Sequence, residues 1–179
     1  NDEKTMGPLQ NRILGVAQEI FFFLIIAFSP IFYGSVELWS VTVLHIALLI
    51  LFLLWLLEGA LQRNLSLRST PLDLPLVLFL VYAGVNALGS RYWAASRDQL
   101  FILLDCALIY FLGVRVLCRR GACVRFFLVV TILGVGASVY GIIKHFSFQE
   151  TTGLIGPLVN HNHFAGWLEM CFPLSLALA

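Results

Sequence analysis

Long runs of apolar residues alternate along the chain with short segments that carry most of its charged residues. A bilayer core is about 30 Å thick and requires about 20 apolar residues in a helix, because lipid cannot hydrogen-bond to open backbone groups. The pattern therefore predicts an all-α fold, a polytopic transmembrane helix bundle. We expect about six spans, at about residues 13–28, 41–57, 72–88, 100–116, 126–143 and 164–179.

Turn-forming residues interrupt the apolar runs and mark the predicted connections. They are Ser29, Pro30 and Gly34, then Ser69, Thr70 and Pro71, then Gly89 and Ser90, then Arg119, Arg120 and Gly121, and last Gly153, Gly156 and Pro157. Several runs are short, so we expect their flanks to lengthen the helices or the membrane to thin beside them. Because the chain begins at Asn1 and stops at Ala179 inside an apolar run, we expect it to be the N-terminal transmembrane portion of a longer membrane protein.

Composition excludes a soluble domain. Of the 179 residues, 60% are hydrophobic and 12% are charged, whereas about a quarter of the residues of a soluble domain carry charge. We therefore expect the lipid bilayer as a partner, and a net charge of +1 gives no reason to expect nucleic acid. Cys118 and Cys123 lack a second pair or a nearby histidine, so we predict no metal site and no cofactor.

The distribution of Lys and Arg predicts the orientation of the spans. If the N-terminus is cytoplasmic, eight cations face the cytoplasm and three face outward. The first group is Lys4, Arg12, Arg63, Arg68, Arg115, Arg119, Arg120 and Arg125, and the second is Arg91, Arg97 and Lys144. This topology places the segment from Lys144 to His163 outside the cell membrane, in the periplasm if the source is a Gram-negative bacterium.

Ionisable residues inside the apolar runs are candidates for structural ties or for a functional route. They are Glu19, His45, Asp105 and Glu169, with Asn86 as a neutral companion. Each costs about 2.5–3.5 kcal/mol on insertion scales, so each is expected to face the bundle interior. Glu19 lies mid-span and needs an internal partner. Asp105 is within reach of Arg97 or Arg91, and a hydrogen bond that fastens two helices is favoured over transport or catalysis.

Small residues in the fifth predicted span, Gly134, Ala137, Ser138 and Gly141, favour close approach of a neighbouring helix. This spacing indicates helix packing and does not indicate a chemistry.

The outer segment before the sixth span holds the most distinctive pattern, Asn160-His161-Asn162-His163 after a Gly-Pro turn. Asn160 or Asn162 could cap the sixth helix. The helix N-terminus also suits an anionic group such as a phosphate, and amide and imidazole groups can hydrogen-bond to sugar hydroxyls or diphosphate oxygens. Local chemistry leaves capping and a ligand-binding mouth equally open.

The segment from Gly156 to Met170, followed by Pro173, resembles the segment common in the O-antigen ligase and O-antigen polymerase family. That pattern reads roughly Gly-x-Phe/Leu-x-Asn-x-Asn-His-x-Ala before a hydrophobic helix that contains proline. The earlier stretch Ser29–Gly34, with Trp39 shortly after, is similar to the first outer loop of such proteins. About fifteen residues carry the specific part of the resemblance.

The resemblance implies a glycosyltransferase-like enzyme of the bacterial inner membrane that works without a metal. Such proteins take a polyprenyl-diphosphate-linked glycan on the periplasmic face and transfer it to lipid A-core or to another glycan. The resemblance carries over Asn160, Asn162 and His163 as scaffold or substrate contacts. Arg91, Arg97 and Lys144 are the cations available on the same side. The catalytic residues are expected beyond residue 179.

Two other functions stay open. The four ionisable residues in the apolar runs favour a secondary transporter or a flippase for lipid-linked glycans, although no internal repeat supports one. A noncatalytic membrane subunit is the third hypothesis.

Overall fold

The computed structural model describes residues 8–32, 37–63, 69–148, 157–158 and 160–178. These ranges hold six α-helices and no strand. In chain order they are α1 (Pro8–Ile31), α2 (Leu38–Gln62), α3 (Asp73–Leu88), α4 (Trp93–Leu117), α5 (Ala122–Phe148) and α6 (His161–Leu176). The predicted all-α fold is confirmed, and every predicted span falls on one of these helices.

Four helices are long and apolar enough to cross a membrane, and they make the chain a multi-pass membrane protein. The crossing segments are Arg12–Ile31 in α1, all of α2, all of α4, and Ala122–Ser147 in α5, with 20, 25, 25 and 26 residues. These helices extend at both ends beyond the apolar runs into the polar residues that flank them. As a result α4, for example, begins at Trp93 rather than near residue 100.

The expected count of about six spans is wrong for the described residues. The helices α3 and α6 have 16 residues each. At 1.5 Å per residue this length gives about 24 Å, which is less than the hydrocarbon thickness of about 30 Å. The count therefore stands at four long helices and two short ones.

The four long helices form one core, and the two short helices lie outside it. Contacts join α1 to α2, α4 and α5, and α4 contacts both α2 and α5. Among the described helices, α3 packs on α4 alone and α6 packs on α5 alone.

The apolar core lies where α1, α2 and α4 meet. Its buried members recur every three or four residues along each helix, as one helical face requires. They are Phe22 and Ile25 of α1, Leu48, Leu51 and Trp55 of α2, and Leu112 and Val116 of α4. Gly113 lets α1 approach α4, because a Cβ at this position would lie 3.1 Å from the Phe22 ring.

A polar contact fixes the beginning of α3 against α4. The carboxylate of Asp73 accepts hydrogen bonds from the Thr70 backbone N–H (2.7 Å), the Thr70 hydroxyl (2.7 Å) and the Tyr110 hydroxyl (3.2 Å). The Thr70 and Tyr110 hydroxyls also contact each other. A carboxylate in the first turn additionally interacts favourably with the partial positive charge of the helix N-terminus.

We predict that this attachment weakens in acid. The hydrogen bonds from Thr70 hold the pKa of Asp73 below its ordinary value. Because the folded-state pKa is lowered, the stabilisation is present above the ordinary pKa of about 3.9 and is lost as pH falls through the lowered pKa. The gap in melting temperature between the native protein and Asp73→Asn should therefore shrink below about pH 4. A gap that stays constant from neutral pH to about pH 3 would contradict this assignment.

The pairing of α5 with α6 depends on small residues, as their spacing predicts. A Cβ on Gly134 would lie 3.2 Å from the Cβ of Cys171. One turn away, the Thr131 hydroxyl donates a hydrogen bond to the Ser175 Oγ (3.0 Å). Ala137 is buried beside Leu158 and Phe164. The close approach that the sequence indicates is therefore found in α5 and α6.

Gly134→Leu should separate α5 from α6, because the added side chain has no space beside Cys171. Overpacking of this kind costs typically about 1–3 kcal/mol. The matched control is Gly136→Leu on the same helix, where an added Cβ would meet nothing within 4 Å. Thermal unfolding in detergent measures both variants. Equal melting temperatures for the two would show that α6 does not pack on this face of α5.

Candidate functional site

A group of polar side chains ties four helices together near one end of the bundle. We call it the polar cluster and call that end the polar end. Its members are Gln18 and Glu19 of α1, Glu58 and Gln62 of α2, Arg115 of α4, Arg119 of the α4–α5 turn, and Arg125 of α5.

Glu58 is the centre of the polar cluster and is 5% exposed. Its Oε2 accepts hydrogen bonds from Arg115 Nη2 at 2.7 Å and from Gln18 Nε2 at 2.9 Å. Its Oε1 accepts one from Gln62 Nε2 at 3.1 Å. A second guanidinium, that of Arg119, lies 3.6 Å from Oε2. Both carboxylate oxygens are therefore satisfied, which a buried charge requires.

Arg119 extends the polar cluster to the first helix. Its Nη2 donates to Gln18 Oε1 at 2.6 Å, and its Nη1 donates to the backbone carbonyl of Gly15. Burial lowers the pKa of Arg119 from its ordinary value, and the nearby Glu58 opposes that change. Gln18 is thus held at both ends of its amide, because its Nε2 also donates to the Leu54 carbonyl at 3.2 Å.

Glu19 and Arg125 complete the polar cluster with a bidentate ion pair. Arg125 Nε lies 2.5 Å from Glu19 Oε1, and Arg125 Nη2 lies 2.9 Å from Oε2. Both oxygens of this carboxylate are engaged as well. Guanidinium groups from other helices therefore bind both carboxylates of the polar cluster. The geometry therefore gives the polar cluster a structural role.

The expectation that Glu19 has an internal partner is confirmed, and that partner is Arg125. Glu19 is the eighth of the 20 residues in the crossing segment Arg12–Ile31, and its partner Arg125 comes from the first turn of α5. Glu58 was missed as a candidate. Its signal in the sequence is a lone carboxylate directly after the predicted span 41–57, at the same predicted membrane face as Arg115 and Arg119.

A second polar contact lies about 15 Å further along α4, judged from the helical rise between residues 105 and 115. His45 of α2 contacts Asp105 of α4 through Nδ1 and Oδ2. The partner of Asp105 is thus His45 rather than Arg97 or Arg91. Asp105 lies about three turns after the start of α4. The preferred interpretation, a bond that fastens two helices, matches this geometry.

Asp105 also lines a cavity of about 500 Å³ between α1, α2 and α4. Its other walls are mainly apolar, with Ile25 and Pro30 from α1, Leu44 from α2 and Ile109 from α4. Trp167 is the contribution of α6. Residues 25–30 lie near the end of α1 and residues 41–48 near the beginning of α2. The cavity therefore lies in the half of the bundle opposite the polar end.

The sixth helix begins where the sequence pattern places it. Asn160 is the N-cap, and its Oδ1 accepts a hydrogen bond from the Asn162 backbone N–H at 2.8 Å. His161, Asn162 and His163 are all exposed. One residue of the motif therefore caps the helix, and the next three present amide and imidazole groups to the surroundings.

Of the three predicted outer cations, the structure brings Lys144 to the level of this motif. The helices α5 and α6 are antiparallel, with Thr131 opposite Ser175 and Gly134 opposite Cys171. Continuing this register places Lys144 at the height of His161. Arg91 lies in the α3–α4 turn and Arg97 in the second turn of α4, and both are exposed. Arg97 pairs with its neighbour Asp98 at 3.0 Å, and within the described ranges neither arginine bonds to the start of α6.

The remaining predicted polar residues lie apart from one another. Glu169 is exposed on α6. Asn86 donates from Nδ2 to the Tyr82 carbonyl at 2.8 Å and lines a separate cavity of about 530 Å³ between α3 and α4. Two of the predicted cytoplasmic cations, Lys4 and Arg68, lie outside the described residues. Three of the predicted turn residues, Gly34, Gly153 and Gly156, also lie outside them.

Comparisons of the chain with known protein families, with curated proteins and with solved structures find no match.

The polar cluster predicts a large difference between two acidic substitutions. Glu58→Ala removes the buried carboxylate from the Arg115 guanidinium, whose side chain is 14% exposed, and loss of one partner of a buried pair costs about 3–5 kcal/mol. Asp98→Ala breaks the exposed pair with Arg97, and pairs of that kind contribute about 0–1 kcal/mol. The free energy of unfolding in bicelles measures both. Similar values for the two variants would contradict a buried tie at Glu58.

Proposed function

We propose that this protein acts in surface-polysaccharide assembly as a glycan ligase or polymerase of the O-antigen ligase type. In this proposal the segment around Asn160–His163 contacts a polyprenyl-diphosphate-linked glycan at the outer surface of a bacterial inner membrane. The acceptor is lipid A-core or another glycan. The observation that carries the proposal is the Asn-His-Asn-His motif at the start of a helix, because this motif bears the family resemblance.

The geometry of the motif supports this role. A helix N-terminus carries exposed N–H groups and partial positive charge, which favour a diphosphate. Asn162 and His163 are exposed beside it. Lys144 adds a cation at the same level on α5. A lipid diphosphate needs such donors near the membrane surface, where its prenyl chain stays in lipid.

The orientation in this proposal puts the polar end in the cytoplasm. Arg12, Arg63 and Arg120 belong to that end, together with the arginines of the polar cluster. Arg91, Arg97 and Lys144 belong to the opposite end. An excess of Lys and Arg marks the cytoplasmic side of membrane proteins.

The transporter hypothesis has less support from the positions of the ionisable residues. Glu19 is bound by Arg125 at the polar end, Asp105 is bound by His45 in the other half, and Glu169 is exposed on α6. A relay requires such groups along one route, and these three belong to different parts of the bundle.

We predict that Asn162→Ala and His163→Ala each reduce glycan transfer. Loss of one hydrogen bond to a charged group costs about 1.5–3 kcal/mol, which corresponds to about tenfold or more in rate. The assay compares surface polysaccharide in deletion cells that carry each variant of the full gene. Because both side chains are exposed, protein abundance in the membrane should stay unchanged.

Asn160→Ser is the matched control for the motif. Serine retains the capping interaction but removes the amide. Activity close to that of the native protein would assign Asn160 to capping alone. Native activity in both Asn162→Ala and His163→Ala would contradict the proposed function, as would labelling of a cysteine placed at position 163 from the cytoplasmic side.

A further inference from the structure

The cavity beside Asp105 combines apolar walls with a single carboxyl group. One oxygen of Asp105, Oδ2, contacts His45. The other oxygen, Oδ1, has no hydrogen-bond partner among the described residues. Among the described residues, the other polar groups on the cavity wall are the Ser29 hydroxyl of α1, the Cys106 thiol of α4 and the Trp167 indole of α6. An occupant of this cavity therefore meets hydrocarbon on most sides and one carboxyl group.

The contact between His45 and Asp105 determines which polar group fits. Because the imidazole of His45 already contacts Oδ2 of Asp105, this carboxyl group has a partner within the protein. Its second oxygen, Oδ1, remains as an acceptor for a hydrogen bond from an occupant.

Among the described residues that line this cavity, Asp105 is the one with an ionisable carboxyl group. The other cavity residues of α1, α2 and α4 are uncharged, and α6 contributes Trp167. The nearest charged neighbours along α4 are Arg97 and Asp98, about two turns away, and these pair with each other. A ligand with a charged head group would therefore bury an uncompensated charge. A hydroxyl group can donate to Asp105 without this cost.

We propose that this cavity binds an uncharged membrane lipid that carries a hydroxyl group, with its apolar chain against α1, α2 and α4 and its hydroxyl donating to Asp105. The cavity volume of about 500 Å³ and its position in the half of the bundle opposite the polar end suit one such chain. This inference concerns a neutral lipid and does not rest on the proposed glycan transfer.

The test uses a long-chain alcohol that carries a photoreactive group and an alkyne, added to membranes that contain the protein. A matched amine, a matched carboxylic acid and a matched alkane serve as comparison probes. After illumination, mass spectrometry locates the label. The alcohol should label the walls of the cavity more strongly than the other three probes do, and unlabelled alcohol should compete.

Two substitutions on α4 form a matched pair. Ile102 lines the cavity and is 42% exposed, whereas Leu104 is 45% exposed and does not line it. Ile102→Trp should reduce labelling of the cavity about tenfold, equivalent to about 1.4 kcal/mol of binding. Leu104→Trp should leave it unchanged. Asp105→Ala should remove the preference for the alcohol over the alkane.

Three results would overturn the proposal. Preferential labelling by the amine or the acid would assign the cavity to a charged ligand. Equal labelling in Ile102→Trp and Leu104→Trp would show that the label reports general contact with lipid. If Asp105→Ala still prefers the alcohol, the Asp105 carboxyl group does not recognise the hydroxyl. Glycan transfer is measured separately, so each proposal can fail without the other.

Discussion

The described structure depends on one constraint, which is that a carboxylate near the membrane interior must have all its hydrogen bonds supplied by protein. Glu58 meets this constraint with Arg115, Gln18 and Gln62, while Arg119 lies close by. Because those partners come from α1, α2, α4 and the turn before α5, satisfying one charge fixes the relative positions of the long helices. The apolar core beside it adds packing, but the same hydrocarbon groups would be almost as well accommodated by lipid. Specific polar contacts therefore determine which helices are neighbours.

The long and the short helices differ in how they are attached to the bundle. The four helices that cross the membrane are the ones that the polar cluster joins. The two short helices attach at the edges by different means, α3 through the hydrogen bonds of Asp73 and α6 through small residues of α5. The bundle thus contains two groups of polar contacts at different heights. The polar cluster joins the helices at the polar end, and the contact of His45 with Asp105 lies beside the cavity in the opposite half.

Hydropathy and turn residues predicted the helical fold, the membrane location and the approximate position of every helix. They did not predict the number of long helices, because apolar runs of similar length give 25 residues in α4 and 16 in α3 depending on how far the polar flanks stay helical. The free-energy cost of an ionisable side chain in lipid predicted that Glu19 needs a partner. Its partner Arg125 lies 106 positions away. Such a pairing depends on which helices are neighbours in space, and a single sequence does not give that arrangement. The capping role of Asn160 was predictable because it depends on local geometry alone, whereas the cavity required three helices to be placed first.

The single neighbour of α6 has a mechanical consequence. Because α6 packs on α5 alone among the described helices, its position depends mainly on the contact where Gly134 faces Cys171. Trp167 reaches from the same helix to the cavity wall. A small tilt of α6 about α5 would therefore move Trp167 relative to the other walls of the cavity while the ion pairs among the long helices remain intact.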